Sequence, residues 1–362
     1  MKAESSELAV PTFVKLTEPK NILIARLSSI GDIILTSPAL RCLRKAFPEV
    51  KITFLVKKEF IDLVIYNPNI NEVISFDKTG GWKALIDLRK LIWSKKFDWF
   101  IDLHNNLRTN LLKRTIGFDL VTTYHKESFR RYLLVKFGKN FFREARPIYL
   151  KYFDALKYRN INYDGEGTNV FIPESSMLAI QNKLGSERFR PEKGLLVICP
   201  GASFSNKQWL PERFGEVADH FIEASGMEVV FLGGKNDREL CNTIIRGMRS
   251  KALNYAGELP ILLSATLLQK ATAVLTNDSG MMHLAQSQGT AVVAIFGPTT
   301  RELGFFPIPQ NSMVIEKEVS CRPCTTKGLN YCPKKHFRCM NSIETKEIVE
   351  ALSGFIDRHV SC

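Results

Sequence analysis

At 362 residues the chain exceeds the roughly 250 to 300 residues over which one hydrophobic core keeps growing, so two domains are expected. Hydrophobic residues at 45% and charged residues at 24% match a globular enzyme and exclude collagenous, low-complexity and disordered classes. The net charge of +13 is uneven: residues 1–160 hold 29 Lys and Arg against 16 Asp and Glu, while residues 161–362 hold 21 of each.

Residues 1–20 form a polar leader without the apolar stretch of a signal peptide. Residues 21–25 (NILIA) then read as a short buried strand, followed by the loop Arg26-Leu-Ser-Ser-Ile-Gly-Asp32, a helix over 33–46 and a strand over 51–56. Strand, Gly-containing loop, helix and strand make a βαβ unit of a parallel sheet, whose ligands collect at the carboxyl ends of the strands. Residues 99–103 predict another strand and a helix begins near Asn106. The stretch 126–146 holds seven Lys and Arg among aromatics and leucines. It reads either as an amphipathic surface facing lipid head groups or as a solvated helix pair.

A second series starts near Gly194, with strands at 195–199, 228–232, 273–276 and 291–296, and helices at 211–224, 262–270 and 280–288. The implied architecture is α/β, with two Rossmann-like domains facing a central cleft, divided as 21–175 and 176–343. A last helix over 344–362 is expected to pack back onto the first domain. No run reaches the ~20 apolar residues of a membrane span, so a cytoplasmic protein, at most peripheral to a membrane, is expected.

Three motifs carry chemistry. In Leu275-Thr-Asn-Asp278-Ser279-Gly280-Met-Met-His283 a strand runs through a tight turn into a helix, whose free amides and dipole suit phosphate. Ser279 adds a hydroxyl, Gly280 permits close approach, and His283 falls one turn in. An N-cap followed by a structural histidine is the plain alternative. Pro200-Gly-Ala-Ser203-Phe-Ser-Asn-Lys207-Gln-Trp209 leaves the first strand of the second half; Lys207 is a compact cation for a diphosphate, and Trp209 reads as packing. Asp32, after a glycine at a strand end, is placed to accept a proton from an attacking hydroxyl, or to cap a helix, and the two are not exclusive.

Cys321-Arg-Pro-Cys324, Cys332 and Cys339, with His336 nearby, have the spacing of a small structural zinc site, with free thiols or a disulfide as the alternative. Cys42, Cys199 and Cys241 lie in apolar runs and read as core.

Taken in order, residues 26–40 (RLSSIGDIILTSPAL), Ile101-Asp-Leu-His-Asn-Asn-Leu-Arg108, 200–209, 277–283 and Phe296-Gly-Pro-Thr299 resemble the heptosyltransferases, glycosyltransferase family 9, over nearly the whole chain after residue 20. The Cys-rich segment 319–340 is similar to that of the second heptosyltransferase type of the inner core. The resemblance implies a GT-B fold, metal-independent inverting transfer with no cofactor required for catalysis, and ADP-L-glycero-D-manno-heptose as donor. It places Asp32 as base, Lys207 on phosphate, and Asp278, Ser279, Gly280 and His283 around the diphosphate, with Ser203 on the donor side. It puts Asp237 or Glu239 at the ribose and Arg108 on the acceptor. The acceptor it implies is acidic inner-core lipopolysaccharide, reached at the cytoplasmic face of the inner membrane, which would explain the basic first half. The alternatives are a GT-B transferase of another nucleotide sugar or a nucleotide-sugar epimerase. Nucleic-acid binding is not expected, because no RNA-binding motif is present.

Overall fold

A computed structural model describes residues 18–186 and 193–360; the polar leader up to residue 17 lies outside them. The first half contains strands β1 (Asn21–Ala25), β2 (Lys51–Lys57), β3 (Glu72–Phe76), β4 (Trp99–Asp102) and β5 (Leu120–Thr123). Its helices are α1 (Ile30–Ile34), α2 (Ser37–Ala46), α3 (Gly81–Ser94), α4 (Leu107–Thr115), α5 (Ser128–Phe137) and α6 (Ile148–Tyr152). The strands form one parallel sheet in the order β3-β2-β1-β4-β5. Helix α7 (Glu174–Ser186) leads to the second half, with strands β6 (Leu195–Cys199), β7 (Glu228–Phe231), β8 (Leu253–Asn254), β9 (Ala273–Asn277), β10 (Ala291–Phe296) and β11 (Ser312–Glu316). These make a second parallel sheet, ordered β11-β10-β9-β6-β7-β8. Around it lie α8 (Pro211–Ser225), α9 (Arg238–Gly247), α10 (Ile261–Lys270), α11 (Gly280–Gln286), α12 (Arg338–Asn341) and α13 (Thr345–Val360).

Both orders reverse direction at the first strand of the sheet, the switch point where doubly wound folds open their ligand crevice. Strands covered on both faces need apolar residues throughout, and β1 and β6 meet this. Ile22 and Ile24 enter one core while Leu23 and Ala25 enter another with Leu88 and Ile92 of α3. Leu195, Val197 and Cys199 likewise face opposite Leu196 and Ile198. One core is continuous between the domains, taking in Ile33 and Ile34 of α1 with Met282 and Leu284 of α11.

Two expectations are corrected. The helix over 33–46 is two helices, α1 and α2, because Pro38 has no N–H to give the Ile34 carbonyl. The Ser37 hydroxyl donates to that carbonyl instead, at 2.7 Å, and Pro38 sits in the first turn of α2, where proline is tolerated. Helix α13 packs on the second domain and not the first: Ile348, Ala351 and Leu352 join the core of α8, β9 and β10. In the basic stretch 126–146, only 128–137 is helical among the described residues. Trp209, Cys42, Cys199 and Cys241 are buried, as expected of packing residues.

Candidate active site

The loops after β1, β4, β6, β7 and β9 converge at the carboxyl ends of the two sheets. The domains meet there through α1 and α11, and the approach is close enough to require glycine on both sides. A Cβ on Gly31 would lie 2.5 Å from Cδ2 of His283, and one on Gly280 would lie 3.0 Å from Cβ of Ile30. The Gly31-Asp32 turn is therefore seated on the Asp278–His283 segment.

Asp32 occupies the third position of α1. Its Oδ2 accepts from the Ser29 amide at 3.2 Å and from the Ser29 hydroxyl at 2.9 Å, and its Oδ1 pairs with Arg26 at 2.5 Å. Burial alone would raise the Asp32 pKa; the Arg26 charge and then the Ser29 bonds outweigh it, and the net shift is downward. The carboxylate is thus charged at neutral pH. Arg26 is itself fixed, donating to the carbonyls of Leu103 (2.6 Å) and Ser28 (3.0 Å) and lying over the Tyr152 ring.

Across the contact, Asp278 is buried, its Oδ2 accepting from the Thr299 hydroxyl at 2.8 Å and pairing with Lys207 at 2.5 Å. Asp278 thus holds the cation in place. Ser279, the extended N-cap of α11, has its hydroxyl 3.3 Å from that of Thr276. His283 is buried and its pKa is pushed down to about 4, chiefly by burial, so the ring is neutral at pH 7. The loop carrying Lys207 is braced by the Cys-rich segment. Asn206 and Leu329 exchange two hydrogen bonds (3.1 and 2.9 Å), and Gly328 packs against Phe204.

Asp237 accepts from the Gly234 amide at 2.8 Å and lies against Gly201 and Gly233, and burial raises its pKa. It ties the β6 and β7 loops together. Glu239 is turned away, exposed and paired with Arg246 at 2.7 Å. Next to these loops a cavity of about 370 Å³ is lined by Ile30 of the first domain and by Gly233–Lys235, Gly257–Ile261, Ser264 and Met281 of the second. Ser203 is exposed on its loop.

Arg108 is exposed on the first turn of α4, its guanidinium 5.9 Å from the centroid of the Phe76 ring. Lys126, half-buried, has its pKa lowered by burial and then by Arg26 and Lys327, while Asp102 and Asp32 act in the opposite direction. His104 is pushed down to about 3 by burial, with Arg26 and Lys126 adding to it. The Lys126 ammonium thus feels Arg26 of its own domain and Lys327 of the other. The strand-end Asp102 explains the local motif structurally: it accepts from the amides of His104 (3.0 Å) and Asn105 (2.7 Å) and pairs with Lys113 at 2.8 Å.

In the Cys-rich segment, Cys321 Sγ lies 3.7 Å from His336 Nε2. Burial raises the pKa of the Cys324 thiol, with Cys321 and Cys332 adding to the rise; the same neighbours act on buried Cys339. Among the described residues no three His, Cys, Asp or Glu side chains form a group that could hold a metal ion.

The family model for glycosyltransferase family 9 (heptosyltransferase) matches residues 85–334. Lipooligosaccharide heptosyltransferase 2 of Campylobacter jejuni is 28% identical over 333 residues, 90% of this chain and 95% of that protein. A family 9 glycosyl transferase of Veillonella parvula superposes with a TM-score of 0.78 at 25% identity, covering 94% of this chain and 97% of its own. The Escherichia coli ADP-heptose lps heptosyltransferase II superposes at 0.72 with 22% identity, covering 94% and 99%. With a matched segment spanning more than half its length and two Rossmann-like domains arranged like theirs, the chain belongs to glycosyltransferase family 9 and is a glycosyltransferase of the GT-B fold.

Proposed function

We propose that this enzyme transfers heptose from ADP-L-glycero-D-manno-heptose to the inner core of lipopolysaccharide, with inversion and without a divalent cation. The observation that carries the reading is the seating of the Asp32 turn on the Asp278–His283 segment, which sets a charged carboxylate of one domain beside the phosphate-type loop of the other. The names of the relatives, lipooligosaccharide heptosyltransferase and ADP-heptose lps heptosyltransferase, support the sugar, donor and acceptor class.

The acceptor hydroxyl attacks the anomeric carbon as its proton passes to Asp32, whose oxygens keep lone pairs free beside Arg26 and Ser29. The bond to the diphosphate breaks on the opposite face, which inverts the centre, and ADP leaves. Lys207, held by Asp278, meets the charge that grows on the departing diphosphate, together with the first amides of α11. Neutral His283 contributes a donor without competing for a proton. Asp237 stands beside the cavity that suits the nucleoside. Lys126, on the turn after the Tyr124–Tyr152 pair, supplies positive charge for the acidic acceptor.

Binding of ADP, UDP, GDP and CMP, compared by thermal shift, tests the donor. A ligand of the native state raises apparent stability by an amount set by its concentration relative to Kd. ADP alone should raise the melting temperature; a selective response to UDP would reassign the sugar donor.

A further inference from the structure

Exposed large apolar side chains are shared unequally between the domains. Beyond residue 195 only Met313 and Tyr331 qualify among the described residues, whereas the first domain exposes many, including Trp82 and Trp93 of α3. An aromatic group lies on α5 and the loop after it: Phe129 is 73% exposed, Tyr132 53%, Phe137 58% and Phe141 53%. Tyr132 and Phe137 meet edge to face, with centroids 6.0 Å apart. Only Leu134 of this helix is buried.

The same stretch is basic. Arg130, Lys136, Lys139 and Arg143 are exposed among the aromatics. The nearby Glu127 is already engaged by Arg130 (2.8 Å) and by Lys151 (2.7 Å). Arg131 faces the other way and donates to the Leu303 carbonyl of the second domain. An apolar cluster left in water is unfavourable unless something covers it. Aromatic side chains interleaved with Lys and Arg suit the boundary between anionic head groups and acyl chains. A second copy of the chain is a poor cover, because a two-fold pairing would bring like charges together.

The position of the patch gives it a purpose. Tyr124, four residues before α5, packs edge to face on Tyr152 with centroids 5.0 Å apart, and the Tyr152 hydroxyl donates to the Asp32 carbonyl at 3.3 Å, so this surface and the site are joined by one short turn. We propose that residues 128–143 are the surface on which the enzyme rests on an anionic phospholipid bilayer, with the cleft opening at the membrane. The glycolipid acceptor then reaches Asp32 without leaving the bilayer, a consequence that rests on the acceptor class given above.

Co-sedimentation of the full chain with vesicles of phosphatidylglycerol and phosphatidylethanolamine, against vesicles of phosphatidylcholine, tests the surface with no donor or acceptor present. Its failure is therefore distinguishable from failure of the transfer reaction. The wild type should pellet with the anionic vesicles and be released by salt. The triple variant F129S/Y132S/F137S should bind them about tenfold or more weakly while keeping its melting temperature and its transfer to delipidated core oligosaccharide. K136E/K139E should lose binding to the anionic vesicles with the aromatics intact. Pelleting of these variants equal to wild type would overturn the proposal. So would an absence of vesicle binding together with a wild-type dimer that the triple variant abolishes.

Discussion

The two aspartates at the domain contact follow the same local pattern, a strand, a short turn and a helix of five or seven residues, yet their surroundings differ. Asp278 is buried and committed to Lys207 and Thr299, so its charge fixes a cation. Asp32 is held by Arg26 and Ser29, keeps its side chain partly open to the cleft, and is ionised by that pairing. Proximity to a glycine at a strand end is thus not enough to assign a role to a carboxylate. What neutralises it, and whether a lone pair remains available to substrate, makes the distinction.

The contact itself offers the largest test of this division. Gly31→Ala places a methyl group within 2.5 Å of the buried His283 ring, which has no room to withdraw, so the two turns must separate. A displacement of about 1 Å at reacting groups costs roughly 100-fold in rate. Steady-state kinetics should show a fall in kcat of that order with a smaller change in donor affinity; an unchanged kcat would mean that the seating of the turns does not set the reaction geometry.

Next comes the cation that Asp278 holds. Lys207→Ala removes a charged partner of the diphosphate and should weaken ADP binding by about 10- to 100-fold in calorimetry, in line with 1.5–3 kcal/mol for a hydrogen bond to a charged group. Binding within twofold of wild type would place the phosphates elsewhere.

A smaller effect sharpens the contrast from the other side. Arg26 is the largest influence lowering the Asp32 pKa. Arg26→Met should raise that pKa, so the acid limb of the kcat profile moves to higher pH: the base is charged above its pKa and lost as pH falls through it. An acid limb that stays in place would separate it from Asp32.

Much of this arrangement is legible in the chain. Buried parallel strands announce themselves as apolar runs bounded by Gly and Pro loops, and residues 195–199 and 291–296 match β6 and β10 end to end. Half-exposed β5 and the two-residue β8 lack such runs and carry no comparable signal. The apolar face of α13 is readable, but periodicity does not say which surface covers a face, and the covering surface is α8 and β9–β11. In the site, Asp32, Lys207 and the Asp278–His283 segment stand out by motif. Lys126 and Lys327 do not, because they are about 200 residues apart in the chain and the place of Lys327 is set by the docking of the Cys-rich turn on the Lys207 loop.

The most direct measurement is a transfer assay of Asp32→Asn paired with calorimetric binding of ADP. The asparagine keeps the size of the side chain and removes the proton acceptor. Transfer should fall by about 10²- to 10⁴-fold, the range for loss of a general base, while ADP binding stays as in the wild type. Turnover at the wild-type rate would contradict the assignment of Asp32 as the base, and with it the division of labour between the two aspartates.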